Sequence, residues 1–178
     1  MTESLPDPHS SGPVPGTLLP GLLDIVGGPS RPKIGIDRIL HFDGMPNVRD
    51  LGGLRTKDNR LTRFGAVIRS GTPARLNAAG WSALYASGIR TIITLRTHGL
   101  TETLLDFTPP FPDILTLQVE IEDVTHQEFL ETWVKTELWC TPLYYPDALR
   151  CWPERHAEAL TAIARAGPGG VLFHCVRG

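Results

Sequence analysis

The segment that most restricts how this chain can fold is its last one, residues 171–178 (VLFHCVRG). Its apolar start predicts a buried strand, and the His-Cys pair then places a thiol where the strand passes into a loop. Such a loop can turn successive backbone N–H groups toward an anion, which makes Cys175 the candidate nucleophile. His174 could either tune that cysteine or hydrogen-bond the backbone beside it. The candidate anion-binding residues are Val176, Arg177 and Gly178.

A strand, a helix and a second strand are predicted upstream, at residues 66–69, 77–88 and 89–95. Asn77 is a favourable N-cap, and Gly88 closes the helix. The second strand is rich in β-branched residues. This order predicts a parallel pair with a right-handed crossover, and Arg96 then lies at the carboxyl end of a strand, where open α/β sheets bind ligands.

The second half of the chain continues the alternation of strands and helices. Residues 114–119 predict a strand, and Thr125 with Glu128 predicts a capping box for a helix. Pro142 and Pro146 predict a break in helical structure. Pro153 fits the first turn of a final helix, which explains the Trp-Pro-Glu sequence at residues 152–154 better than a mobile acid loop does. The pattern predicts a single α/β domain with the last strand in the centre of its sheet.

The N-terminal region has a different composition from the rest. Residues 1–33 are crowded with Pro, Gly and Ser, and this predicts a disordered tail, with residues 34–178 forming the domain. Residues 18–26 are apolar enough to form a short amphipathic turn, although Pro20 and Gly21 interrupt the pattern.

Composition restricts the class of function. The 178 residues carry a net charge of −2, so no basic field for nucleic acid is expected, and any anion must be recognised locally. No apolar run is long enough to span a membrane and no signal peptide precedes the domain, so a cytoplasmic location is predicted. Cys140, Cys151 and Cys175 are expected to be free thiols. Their spacing from the histidines matches no zinc motif, and no metal is expected.

A second polar loop stands near the start of the domain, at residues 47–53 (NVRDLGG). Its paired glycines predict a tight turn whose backbone can approach another group closely. Arg49 and Asp50 have two interpretations: they brace this loop as an ion pair, or they contact a substrate.

Four blocks in order carry a resemblance to a known family: residues 47–53, 69–71 (RSG), 88–96 with Glu102, and 173–175 (FHC). Together they resemble the bacterial tyrosine-phosphatase family of atypical protein-tyrosine and phosphoinositide phosphatases, which have a dual-specificity-like fold. The resemblance implies a central, mostly parallel sheet flanked by helices. It also implies hydrolysis of a phosphorylated protein or another phosphoester through a phosphocysteine, without metal or cofactor. The residues it suggests as supporting Cys175 are His174, Asn47, Arg49, Asp50 and Arg96.

The chain departs from the family pattern in two places. Thr94 stands where an acidic residue commonly precedes the Leu-Arg pair, which puts a bracing role at that position in doubt. The phosphate loop of the family is Cys, five residues, then Arg, and Arg177 stands too close to Cys175 to be that arginine. The resemblance therefore predicts a phosphatase domain cut within its phosphate loop, lacking its C-terminal helices and inactive as it stands. A non-catalytic module that binds phosphorylated partners is the alternative.

Overall fold

The computed structural model describes residues 38–178. The predicted tail at residues 1–33 and the apolar turn at residues 18–26 therefore lie outside the described part of the chain. No helix within residues 38–178 has the length and apolar character needed to cross a bilayer.

A five-stranded sheet forms the centre of the fold. Its strands are β1 (Arg49–Asp50), β2 (Val67–Ser70), β3 (Ile89–His98), β4 (Leu115–Asp123) and β5 (Gly170–His174). They lie in the order β1-β2-β5-β3-β4. β1 pairs with β2 in antiparallel fashion, and all the other pairs are parallel. The prediction of a mostly parallel sheet with the last strand in its centre is confirmed.

Within residues 38–178, four α-helices accompany the sheet: α1 (Ala78–Ala86), α2 (Gln127–Phe129), α3 (Tyr145–Cys151) and α4 (Pro153–Ala164). The predicted start of α1 is confirmed, because the Asn77 side chain accepts the Gly80 N–H at 2.8 Å. Leu76 and Trp81, on either side of this cap, are both buried in the core. Pro153 occupies the first turn of α4, as expected of a proline that begins a helix.

The two faces of the sheet bury separate apolar clusters. On one face, α1 packs through Trp81 and Leu84 against strand residues that include Ile92 and Leu172. On the other face, α4 packs through Ile163 and its neighbours against β3, β4 and β5. Because parallel strands bury both faces, β5 reads as a continuous apolar run rather than an alternating one.

Two local predictions for residues 124–152 are wrong. Thr125 is not an N-cap, because its N–H and hydroxyl both donate to the Asp123 carboxylate, at 2.8 and 2.6 Å. His126 caps α2 instead, and the chain continues through one π-helical turn, Leu130–Val134. Pro146 does not break helical structure, because it lies in the first turn of α3, where its missing N–H costs no hydrogen bond.

Candidate active site

The predicted nucleophile follows the central strand at the carboxyl edge of the sheet, the edge where the parallel strands end. His174 ends β5 and is in register with Ser70 of β2 on one side and with Thr94 of β3 on the other. Residues 175–178, called the Cys175 loop below, leave the sheet between these two strands. A parallel sheet places ligands at this edge, so the topology puts the loop where the sequence predicted a site.

The backbone carbonyls of the Cys175 loop are held by donors from other parts of the chain. Thr72 donates its N–H to the carbonyl of residue 176 at 3.1 Å. The Asn47 side chain donates from Nδ2 to the carbonyl of residue 177, also at 3.1 Å. The Arg69 guanidinium donates to the carbonyl of residue 178. Three consecutive carbonyls are therefore engaged by β2, by the residues just after it and by the segment before β1.

The sulfur of Cys175 receives a backbone donor from its own loop. Gly178 donates its N–H to Cys175 Sγ at 3.3 Å, and the cysteine is exposed. This contact places a backbone N–H beside the sulfur atom of the predicted nucleophile. Cys140 and Cys151 are free thiols as well.

His174 is almost completely buried, with 1% of its surface exposed. Its Nε2 lies 2.9 Å from Thr94 Oγ1, and its Nδ1 lies 3.2 Å from the Cys175 carbonyl oxygen. The pKa of His174 is lowered to about 4, chiefly by burial and in smaller part by the nearby charge of Arg96, while the backbone contact with Cys175 opposes both. His174 is therefore a neutral ring that bonds the backbone beside Cys175. Thr94 braces it where the family commonly has an acidic residue.

Arg49 and Asp50 lie on β1. The ion pairs within residues 38–178 do not include one between these two side chains. The Asp50 carboxylate instead accepts the N–H groups of Gly52 at 2.7 Å and Gly65 at 2.8 Å. Arg49 donates to the carbonyl of its neighbour Val48. The ion-pair interpretation is wrong, because the buried carboxylate satisfies backbone donors at the turn between β1 and β2.

Arg96 stands on β3, two residues beyond the threonine that contacts His174. Its guanidinium pairs with Asp106 at 2.5 Å and donates to the Glu102 carbonyl at 3.4 Å. Arg96 thus acts on His174 through its charge, while its hydrogen bonds order the loop that follows β3. Of the residues predicted to support the nucleophile, His174 and Asn47 hydrogen-bond the Cys175 loop. Arg49, Asp50 and Arg96 have hydrogen-bond partners elsewhere.

Further ionisable groups at this edge did not emerge from the sequence. Glu122 is 5% exposed near the end of β4, and burial raises its pKa although the Thr97 hydroxyl donates to it at 3.0 Å. Cys140 has its pKa raised to about 11, first by partial burial and then by the charges of Glu122 and Cys175. Tyr145 also has a raised pKa, to which burial, Cys140 and Cys175 all contribute. In the sequence, only the position of Glu122 near the end of a strand indicates that it could lie at this edge.

Within residues 38–178, no three or more His, Cys, Asp or Glu side chains are grouped so that they could hold a metal ion.

Known proteins resemble this chain in sequence. The sequence profile of the tyrosine phosphatase family matches residues 40–178, well over half of the chain. A curated protein of Cupriavidus necator, whose name assigns it provisionally to the tyrosine-protein phosphatases, is 28% identical over 146 residues. That alignment covers 78% of this chain and 52% of the relative, so the chain spans about half the length of that protein. On the extent of the family match, this chain belongs to the tyrosine phosphatase family.

Proposed function

We propose that this domain hydrolyses phosphoesters with Cys175 as the nucleophile and residues 175–178 as part of the phosphate-binding loop. The observation that carries the proposal is the Gly178 N–H at 3.3 Å from Cys175 Sγ, in a loop whose carbonyl oxygens at residues 176 and 177 accept hydrogen bonds from Thr72 and Asn47. A fixed backbone donor beside a reactive sulfur suits a phosphoryl oxyanion, because it stabilises the negative charge without reorganising.

The reaction divides into two displacements at phosphorus. The Cys175 thiolate attacks phosphorus and forms an S–P bond while the bond to the leaving oxygen breaks, which gives a phosphocysteine. Water then attacks the same phosphorus and gives up a proton, which balances the proton taken up by the leaving oxygen in the first step, while the S–P bond breaks and inorganic phosphate and the thiolate are released. The loop N–H groups serve both steps, since the phosphoryl oxygens carry negative charge throughout. Neutral His174 keeps the Cys175 backbone fixed from beneath through its 3.2 Å contact.

Phosphotyrosine is the substrate class proposed first, with phosphoserine, phosphothreonine and phosphoinositides as the other candidates. Tyr145 is 51% exposed at the start of α3 and interacts electrostatically with Cys175. Its ring lies against that of Tyr144, with centroids 4.5 Å apart. An exposed aromatic face of this kind can pack against the phenyl ring of phosphotyrosine.

Full hydrolytic activity is proposed for a chain that also holds the arginine of the family's phosphate loop. The family pattern places its arginine six residues after Cys175, and a bidentate arginine contributes strongly to holding a phosphoryl group. Removing one donor from an oxyanion site costs roughly 10²- to 10³-fold in rate. A chain extended by the coding sequence after Gly178 is therefore the proper comparison, with an arginine at the sixth position as the feature to look for.

Both chains should be tested for phosphate release from p-nitrophenyl phosphate and from a phosphotyrosine peptide. Cys175→Ser should abolish turnover, whereas Cys151→Ser, which removes another exposed thiol, should leave it unchanged. Acid quenching should trap a phosphoenzyme whose label maps to Cys175. If an extended chain that carries the arginine hydrolyses neither substrate, or if Cys175→Ser retains activity, the proposal is wrong.

A further inference from the structure

We propose that Asn47 is a positioning residue, which sets the direction of the peptide unit between Arg177 and Gly178 and so turns the Gly178 N–H toward Cys175. This inference rests on the proposed function of the Cys175 loop and assigns one side chain a defined task within it. Asn47 stands 130 residues before its partner, so the contact crosses nearly the whole described chain.

The planarity of the peptide bond links the two contacts. Asn47 Nδ2 lies 3.1 Å from the Arg177 carbonyl oxygen. The Gly178 N–H that reaches Cys175 Sγ at 3.3 Å belongs to the same peptide unit. In a trans peptide the C=O and N–H point in opposite directions, so fixing one fixes the other. If this unit flipped, the sulfur would face a carbonyl oxygen, whose negative dipole end repels both a thiolate and a phosphoryl group.

The segment that carries Asn47 is itself held firmly against the loop. Gly71 donates its N–H to the Pro46 carbonyl at 2.9 Å. A Cβ at Gly71 would stand 2.7 Å from Pro46 Cγ and 3.1 Å from the Arg177 carbonyl carbon, so only glycine permits this close approach. These backbone contacts place residue 47 beside the Cys175 loop independently of its side chain.

Asn47 also has the backbone conformation that its task requires. Its φ is 61°, in the left-handed region, which asparagine tolerates better than most residues. Asn59 shares this feature, with φ 66° in an exposed turn, where its side chain accepts from Arg55. Asn59 therefore provides a control for Asn47. Glycine at either position keeps the left-handed backbone and removes one carboxamide, but only Asn47→Gly removes a hydrogen-bond donor to the Cys175 loop.

Alkylation of Cys175 provides an assay that needs no turnover and works on the 178-residue chain. Iodoacetate is an anion and iodoacetamide is its neutral counterpart, so the ratio of their rates at one thiol reports how strongly that site favours an anion. Rates at Cys140, Cys151 and Cys175 are separated by peptide mass mapping, and exposed Cys151 serves as the internal reference. Inorganic phosphate should slow the reaction at Cys175 selectively.

The expected result is an iodoacetate-to-iodoacetamide ratio that is higher at Cys175 than at Cys151. Asn47→Gly should lower the Cys175 ratio about fivefold, the equivalent of one hydrogen bond's usual net contribution. Asn59→Gly should leave the ratio unchanged, and both variants should give wild-type circular dichroism. If the wild-type ratio is the same at Cys175 and Cys151, the proposed anion loop itself is wrong. If the wild type shows the preference and Asn47→Gly retains it, only the role of Asn47 is refuted.

Discussion

The buried histidine beneath the nucleophile makes stability depend on pH in a way that can be worked out from its surroundings. A neutral His174 satisfies both of its contacts, donating from Nδ1 to the Cys175 carbonyl and accepting at Nε2 from the Thr94 hydroxyl. Protonation would place a charge in a site that is 1% exposed, and burial accordingly lowers the pKa from 6.5 to about 4. In the unfolded chain the same ring meets water and titrates normally.

The sign follows from which state binds the proton first. As the pH falls below 6.5 the unfolded chain becomes protonated at this residue while the folded chain does not, so the free energy of unfolding decreases until about pH 4. At 1.36 kcal/mol per pKa unit, the full loss is about 3 kcal/mol. About 1 kcal/mol of it should be lost by pH 5.5 and most of it by pH 4.

Urea denaturation of the wild type and of His174→Gln between pH 7.5 and pH 4 measures this effect. Glutamine retains an acceptor for Thr94 but does not titrate, so the difference between the two proteins isolates the histidine. The comparison is needed because Glu122 works in the opposite direction: burial raises its pKa, and its contribution to stability falls as the pH rises above 4.5. His41→Gln, at an exposed histidine, is the control. A difference between wild type and His174→Gln that stays constant across this pH range would refute the reasoning.

Three further substitutions test the supports of the fold and of the Cys175 loop. Gly71→Ala should lower the free energy of unfolding, measured by urea denaturation, by about 1 to 3 kcal/mol, because the added Cβ would meet Pro46 and the loop backbone. Gly167→Ala is the control and should leave the free energy of unfolding nearly unchanged, because no atom lies within 4 Å of the added carbon. Leu172→Ala, at a fully buried position in the central strand, should cost about 2 to 5 kcal/mol, and a loss below 1 kcal/mol would show that β5 is not packed as described. Asp50→Asn should cost about 1 to 3 kcal/mol, since an amide has one oxygen for the two N–H donors, and faster amide exchange at Gly52 and Gly65 would locate the effect.

The order of strands and helices could be predicted wherever local chemistry decides the outcome. Asn77 caps α1 by bonding an N–H three residues away, so its signal is complete within a short window. Thr125 presents a similar signal, yet Asp123 takes both of its donors. The helix at Pro146 was missed because proline breaks a helix in its interior but is compatible with the first turn, where it lies here. The helix then places Ala148 in a cluster with Phe129, Tyr144 and Trp152.

Much less of the site than of the fold could be predicted, and the reason is sequence separation. The sequence places a cysteine at the end of a buried strand, which is enough to propose the nucleophile. The partners of the Cys175 region lie far away along the chain: Thr94 is 80 residues from His174, and Asn47 is 130 residues from Arg177. No local pattern pairs such residues. Asp50 was misassigned for the same reason, because its partner Gly65 follows 15 residues later.

The central place of β5 in the sheet also affects how this protein is made. Among the described strands, β2 and β3 are joined only through β5, and β5 is the last of these five to be synthesised. Until residues 170–174 are available, the sheet consists of two separate halves, β1 with β2 and β3 with β4. Each half then presents unpaired backbone groups along an inner edge, which is the kind of surface that recruits other chains. The strand that precedes Cys175 is thus also the one that joins the two halves of the described sheet, and a nascent chain stalled before it should be prone to aggregate.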